Sequence, residues 1–144
     1  MSSYSNDVRR LNHLHSEIEA AYHESSLRFG VSGSVLKILY AICDSGDSFP
    51  LSDVCRNTGL TKQTVNSAIR KLENNDMIYL EAVNGKSKRV CLTEKGKQFA
   101  RGTITRLIEI ENAIFDSWDK EKLEKYIELT EQYLLSLREK VGQL

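Results

Sequence analysis

The side chains best equipped for directional hydrogen bonding stand in two short rows. Within Lys62 to Asn74, the residues Gln63, Asn66, Ser67, Arg70 and Asn74 share one helical face, and Val65, Ala68, Ile69 and Leu72 share the other. The second row, Lys86-Ser87-Lys88-Arg89, follows Asn84-Gly85. Amides, hydroxyls and cations held this way suit flat hydrogen-bonding edges and phosphate oxygens. Gln63 matches an adenine edge, Arg70 and Lys62 have the reach for bases or phosphates, and Thr64, Asn66 and Ser67 suit either. Catalytic chemistry is not spelled out. The chain has no glycine-rich phosphate loop, no nucleophile with a recognisable base, and no carboxylate pair in a catalytic setting. His13, His15 and His23 lie on one helical stretch with no second histidine four residues away and no nearby cysteine, so neither a metal nor a cofactor is expected.

The elements that position these rows are legible from periodicity. Residues 1–6 are small and polar and are expected to fray. From Asp7, apolar residues at Val8, Leu11, Leu14, Ile18, Ala21 and Tyr22 predict an amphipathic helix that ends near Gly30 and Gly33. Ser34 to Cys43 is apolar around most of its circumference, which predicts a buried helix, and residues 44–48 compose a loop. A short helix over Leu51–Asn57, a break at Thr58-Gly59-Leu60 and an N-capping Thr61 lead into the polar-faced helix. Asn75-Asp76 can end that helix through the left-handed conformation. The period then falls to 2, and Asn84-Gly85, both able to take positive φ, predicts a hairpin over residues 77–93 with a basic tip. One long helix is expected from Glu94 through Trp118. A last helix carries Leu123, Ile127, Thr130, Leu134, Leu137, Val141 and Leu144 at alternating steps of four and three, the heptad spacing of a helix that seeks a partner.

Helix, glycine turn, polar-faced helix and basic hairpin in that order compose a winged helix-turn-helix. The fold class is therefore mainly α with one β-hairpin wing (α+β), in a single chain of 144 residues. The winged region spans 34–99, and the heptad row of the last helix predicts a dimerisation surface within 100–144. DNA contact is assigned to Thr61, Lys62, Gln63, Thr64, Asn66, Ser67, Arg70, Lys86, Ser87 and Lys88. The dimer seam is assigned to Leu123, Ile127, Thr130, Leu134, Leu137 and Val141.

Charge agrees with that placement. Twenty cations and twenty carboxylates cancel, which excludes a chain that binds nucleic acid or membrane by bulk charge. Yet residues 61–100 hold eight Lys and Arg against four Asp and Glu, and both flanks are slightly acidic. No apolar run approaches the ~18 residues of a membrane span and the amino terminus has no signal core, so a cytoplasmic protein is expected. Cys43, Cys55 and Cys91 are odd in number and widely spaced, and each reads better as a small buried hydrophobe than as a redox sensor.

The runs Leu51-Ser52-Asp53-Val54-Cys55, Gly59-Leu60-Thr61-Lys62-Gln63-Thr64-Val65-Asn66, Ile69-Arg70-Lys71-Leu72-Glu73 and Val90-Cys91-Leu92-Thr93-Glu94-Lys95-Gly96 resemble the MarR family of bacterial transcriptional regulators. The Leu-Thr-Glu-Lys-Gly element is the most specific part. The resemblance implies a homodimeric repressor or activator, with 7–28 and 100–144 as its dimerisation helices, that binds double-stranded DNA and is often controlled by a small ligand, an oxidant or a metal. Three departures are visible. Asp76-Met77 stands where the family usually has Gly-Leu, Ser67 where many relatives carry Arg, and Asn84-Gly85-Lys86 where the wing usually reads Asp-x-Arg. Lysine is a mobile point charge, so this wing is expected to favour phosphates over minor-groove readout. The alternative is a winged-helix adaptor for protein interaction or ligand sensing without specific DNA binding.

Overall fold

A computed structural model describes residues 6–144. The expected fraying concerns residues that, Asn6 excepted, lie outside that range, and Asn6 is already helical. The helices are α1 (Asn6–Phe29), α2 (Gly33–Asp44), α3 (Val54–Thr58), α4 (Lys62–Asn74), α5 (Glu94–Gly102), α6 (Ile104–Asp116) and α7 (Lys120–Val141). The strands are β1 (Ser48–Pro50), β2 (Ile78–Asn84) and β3 (Ser87–Leu92), with a 3-10 turn at Leu51–Asp53. The chain forms two compact units, one reaching to Leu107 and one from Ile108 to Leu144.

The first unit is built around α2, whose Val35, Leu36, Ile38, Leu39, Ala41 and Ile42 are all buried, as its apolar circumference predicts. Val65, Ala68, Ile69 and Leu72 of α4, with Val54, Ile78, Val90, Leu92 and Ile104, complete the core. Several helices stop on a left-handed residue. Gly30 (φ +73°), Gly46 (φ +83°) and Asp76 (φ +57°) follow α1, α2 and α4. In each case the next amide bonds back across the last turn: Val31 to the Ser26 carbonyl, Asp47 to Ile42 and Met77 to Leu72. Asp76 thus performs the stop expected of it without a glycine.

Three expectations are corrected. The hairpin is joined by β1 into an antiparallel sheet ordered β1-β3-β2, with Phe49 opposite Val90. A three-residue strand shows no alternation of its own, and Pro50 at its end is tolerated because an edge strand need not donate there. Being central, β3 buries Val90, Cys91 and Leu92 together, although alternation turns Cys91 to the other face. Second, the hairpin turn falls at Gly85-Lys86, and neither Asn84 nor Gly85 has positive φ. An irregularity between Ala82 and Asn84 absorbs the twist instead. Third, the helix expected from Glu94 to Trp118 breaks at Thr103 (φ −133°, ψ −82°), whose hydroxyl donates to the Phe99 carbonyl at 2.7 Å. Apolar spacing runs on across the break and hides it, while Gly102-Thr103 is a weak helix-forming pair.

In the second unit, the end of α6 and the start of α7 meet through aromatic rings. Trp118 lies 5.1 Å from Phe115 and 5.5 Å from Tyr126 between centroids, and the Lys122 ammonium sits 4.8 Å from the Trp118 ring. Among the described residues no single helix is long and apolar enough to cross a membrane.

Candidate nucleic-acid interface

The turn between α3 and α4 depends on Gly59. Its φ of +73° is a left-handed conformation that side chains rarely adopt, and its amide donates to the Cys55 carbonyl at 2.8 Å. Thr58 steadies the same turn: its hydroxyl donates to the Val54 carbonyl at 2.7 Å and accepts from the Leu60 amide. Thr61 then caps α4, accepting from the Thr64 amide at 3.2 Å while its hydroxyl donates to Thr64 Oγ1 at 2.9 Å. The two threonine hydroxyls therefore spend part of their capacity holding the first turn together.

With the apolar face of α4 sunk in the core, Lys62, Gln63, Asn66, Ser67 and Arg70 are exposed and Thr64 is half-buried. Gln63, Asn66, Ser67 and Arg70 form one unobstructed polar row along the helix. On the wing, Lys86, Ser87 and Lys88 are exposed as expected. Arg89 is not part of the tip. It is half-buried, and its Nε and Nη2 donate to Ser48 Oγ at 3.2 and 3.0 Å, which ties β3 to β1. That partner is supplied by the unforeseen strand, so no signal local to the wing announces it.

The stretch after the wing has a role that motif matching alone does not explain. Thr93 caps α5 by accepting from the Gly96 amide at 3.0 Å, and its hydroxyl donates to the Asp76 carbonyl just past the end of α4. The Thr93 amide donates to the Met77 carbonyl at 3.1 Å. Lys95 reaches back twenty residues to donate its ammonium to the Asn75 carbonyl at 2.9 Å. Gly96 is buried against Met77 so tightly that a Cβ there would overlap the Met77 carbonyl oxygen. Behind this junction lies a cavity of about 160 Å³ walled by Val35, Leu39, Leu72 and Phe99, with Lys71 and Asn75 as polar lining.

The seam residues of α7 divide by exposure. Leu123 is half-buried, whereas Ile127, Thr130, Leu134, Leu137 and Val141 are exposed, Ile127 at 54% and Val141 at 53%. The Thr130 hydroxyl is satisfied within its own helix by the Tyr126 carbonyl at 2.7 Å. On α1, Leu11, Leu14 and Ile18 are likewise exposed. Among the cysteines, Cys91 is buried and Cys43 and Cys55 are half-buried. Burial first, then the carboxylates of Asp47 and Asp44, push the Cys43 thiol up to about 11, opposite to what a reactive thiolate requires.

Residues 29–89 match the MarR family model, a span that takes in α2, β1, α3, α4, β2 and the first half of β3, so the resemblance read from the sequence is borne out. The fold is the MarR winged-helix fold. A MarR family regulator from Neisseria meningitidis superposes with a TM-score of 0.83 at 16% identity, over 96% of this chain and 99% of that one. MepR from S. aureus, solved as a DNA complex, matches at a TM-score of 0.65 and 21% identity, over 95% and 99%. NadR in complex with 4-hydroxyphenylacetate matches at 0.71 and 12%, over 92% and 95%. A search of curated protein sequences finds no match.

Proposed function

We propose that this chain is a homodimeric, sequence-specific DNA-binding regulator of transcription, acting in the cytoplasm as a repressor at a pseudo-palindromic promoter site. The observation that carries this is the exposed row of Gln63, Asn66, Ser67 and Arg70 on a helix whose other face is locked into the core. Such a row is the right width for a major groove and has the donors and acceptors to read it. Lys86 and Lys88 on the wing supply the phosphate contacts that set register. The winged region 34–99 engages DNA, and 7–28 with 100–144 dimerise through the exposed apolar rows of α1 and α7. Two recognition helices then address half-sites whose centres lie about 10 bp apart. MepR, held on DNA in its structure, supports this use of the fold.

A small effector controls occupancy in this proposal. The cavity of about 160 Å³ has room for a single ring between apolar walls with one cation at hand, and NadR, caught with a small aromatic acid, supports the idea. The test is a fluorescence-anisotropy titration of the chain against a labelled duplex enriched by the chain from a randomised pool, with salt varied. Nanomolar binding that weakens steeply with salt is expected. Failure to enrich any duplex, or binding indifferent to salt, favours the adaptor alternative.

A further inference from the structure

Lys95 belongs to the basic segment by charge count, but its ammonium is committed to the Asn75 carbonyl at 2.9 Å. Asn75 is the C-cap of α4, where the helix leaves carbonyls without partners and carries partial negative charge. Thr93 meets the same end of the helix twice, through its hydroxyl on Asp76 and its amide on Met77. Gly96 brings α5 into backbone contact with Met77. Three consecutive carbonyls past α4 are thus gripped by residues of one tetrapeptide, 93–96, which forms the N-cap and first turn of α5 directly after the wing.

We propose that Thr93, Lys95 and Gly96 are positioning residues for the recognition helix, fixing its attitude on DNA while touching no nucleotide. The assignment rests on the DNA-binding function proposed above. Physically, α4 is held along its apolar face by the core and capped by Thr61 at its start, and the clamp adds fixed polar contacts at its far end, where small rotations on that apolar bed would otherwise be cheapest. A helix misdirected by a few degrees keeps its phosphate attraction and loses its base register, because base hydrogen bonds tolerate little misalignment. Lys95 therefore separates from a phosphate-binding lysine by what it does to specificity and to salt dependence.

The experiment compares the wild type with Lys95→Met, Thr93→Val and Thr93→Ser, all as the full chain. Each is titrated against the enriched duplex and against a scrambled duplex of equal length at several salt concentrations. Hydrogen exchange of the Asp76 and Met77 amides is followed without DNA. Lys95→Met and Thr93→Val should each weaken the enriched duplex about tenfold and leave the scrambled duplex within twofold. The salt slope should stay constant, and the two amides should exchange at least fivefold faster. Thr93→Ser keeps the hydroxyl and should restore wild-type behaviour. A salt slope lowered by about one in Lys95→Met would make Lys95 a phosphate contact and overturn its positioning role. Unchanged amide exchange or unchanged discrimination would overturn the clamp. If the wild type itself binds neither duplex, the DNA function fails and takes the positioning role with it, whereas a failure of the clamp alone leaves wild-type binding intact.

Discussion

Gly96 packs its α-carbon directly against the main-chain carbonyl of Met77, and an added Cβ would overlap that oxygen while standing 3.2 Å from Leu92 Cδ2. The obstacle is backbone held by the Met77–Leu72 hydrogen bond at the end of α4, not the tip of a mobile side chain. Replacing a helical glycine by alanine ordinarily gains about 1 kcal/mol. Here overpacking dominates, and Gly96→Ala is expected to lose about 2 kcal/mol. A urea-unfolding midpoint that rises instead would show that α5 can move away from Met77 freely.

Gln63 stands at the first turn of α4, exposed and without a capping duty, so its amide is available for a base edge. Gln63→Ala is expected to relax discrimination at one base pair of each half-site by about 1–3 kcal/mol. Binding to a set of single-base variants checks this. If every variant keeps its rank and spacing, Gln63 reads no base.

Lys86 and Lys88 are exposed, whereas Arg89 is bound to Ser48. Lys86→Ala and Lys88→Ala should each weaken all DNA alike and flatten the salt slope by about one. Arg89→Ala should leave that slope unchanged and lower the unfolding midpoint, because it loosens β1. The same salt titrations, with thermal melts, decide between the two kinds of residue.

Leu134, 41% exposed, sits mid-row among the exposed apolar residues of α7. A charge there would have to be buried by any partner helix, at a cost of several kcal/mol. Leu134→Glu is expected to sediment as a monomer with its helicity intact. A dimer that survives would place the seam elsewhere.

Cys43 holds its proton more tightly than an ordinary thiol, its value pushed up to about 11 from 9.0 by burial and then by Asp47 and Asp44. Its thiolate fraction near pH 8 is therefore about a hundredfold below that of a free thiol, and alkylation by iodoacetamide should be slower by a comparable factor. Because the folded value is raised, the stabilising contribution is complete below the thiol's ordinary range and is lost as pH climbs toward 11. Rapid labelling of Cys43 in the folded chain at pH 8 would contradict this environment.

Much of this molecule is determined within short windows of sequence. The apolar circumference of α2, the two-faced pattern of α4, the N-cap at Thr61, the left-handed stop at Asp76 and the heptad row of α7 each follow from a few neighbouring residues. Local chemistry suffices there because helical periodicity and capping act over one to three turns. The polar row from Gln63 to Arg70 was legible for the same reason. Other features depend on partners distant in sequence. The strand Ser48–Pro50 exists because β3 offers it an edge forty residues on, and that pairing buries Cys91 and draws Arg89 away from the wing tip. The break at Thr103 is local in cause, but the apolar pattern that continues across it masks the weak Gly102-Thr103 pair. Most tellingly, Leu-Thr-Glu-Lys-Gly is a recognisable string in one dimension but a clamp in three, since the carbonyls of Asn75, Asp76 and Met77 meet Lys95 and Thr93 only once the hairpin has folded back. Periodicity records which face is buried; it holds no record of which distant backbone atoms will need a donor, and that is settled by the folded chain.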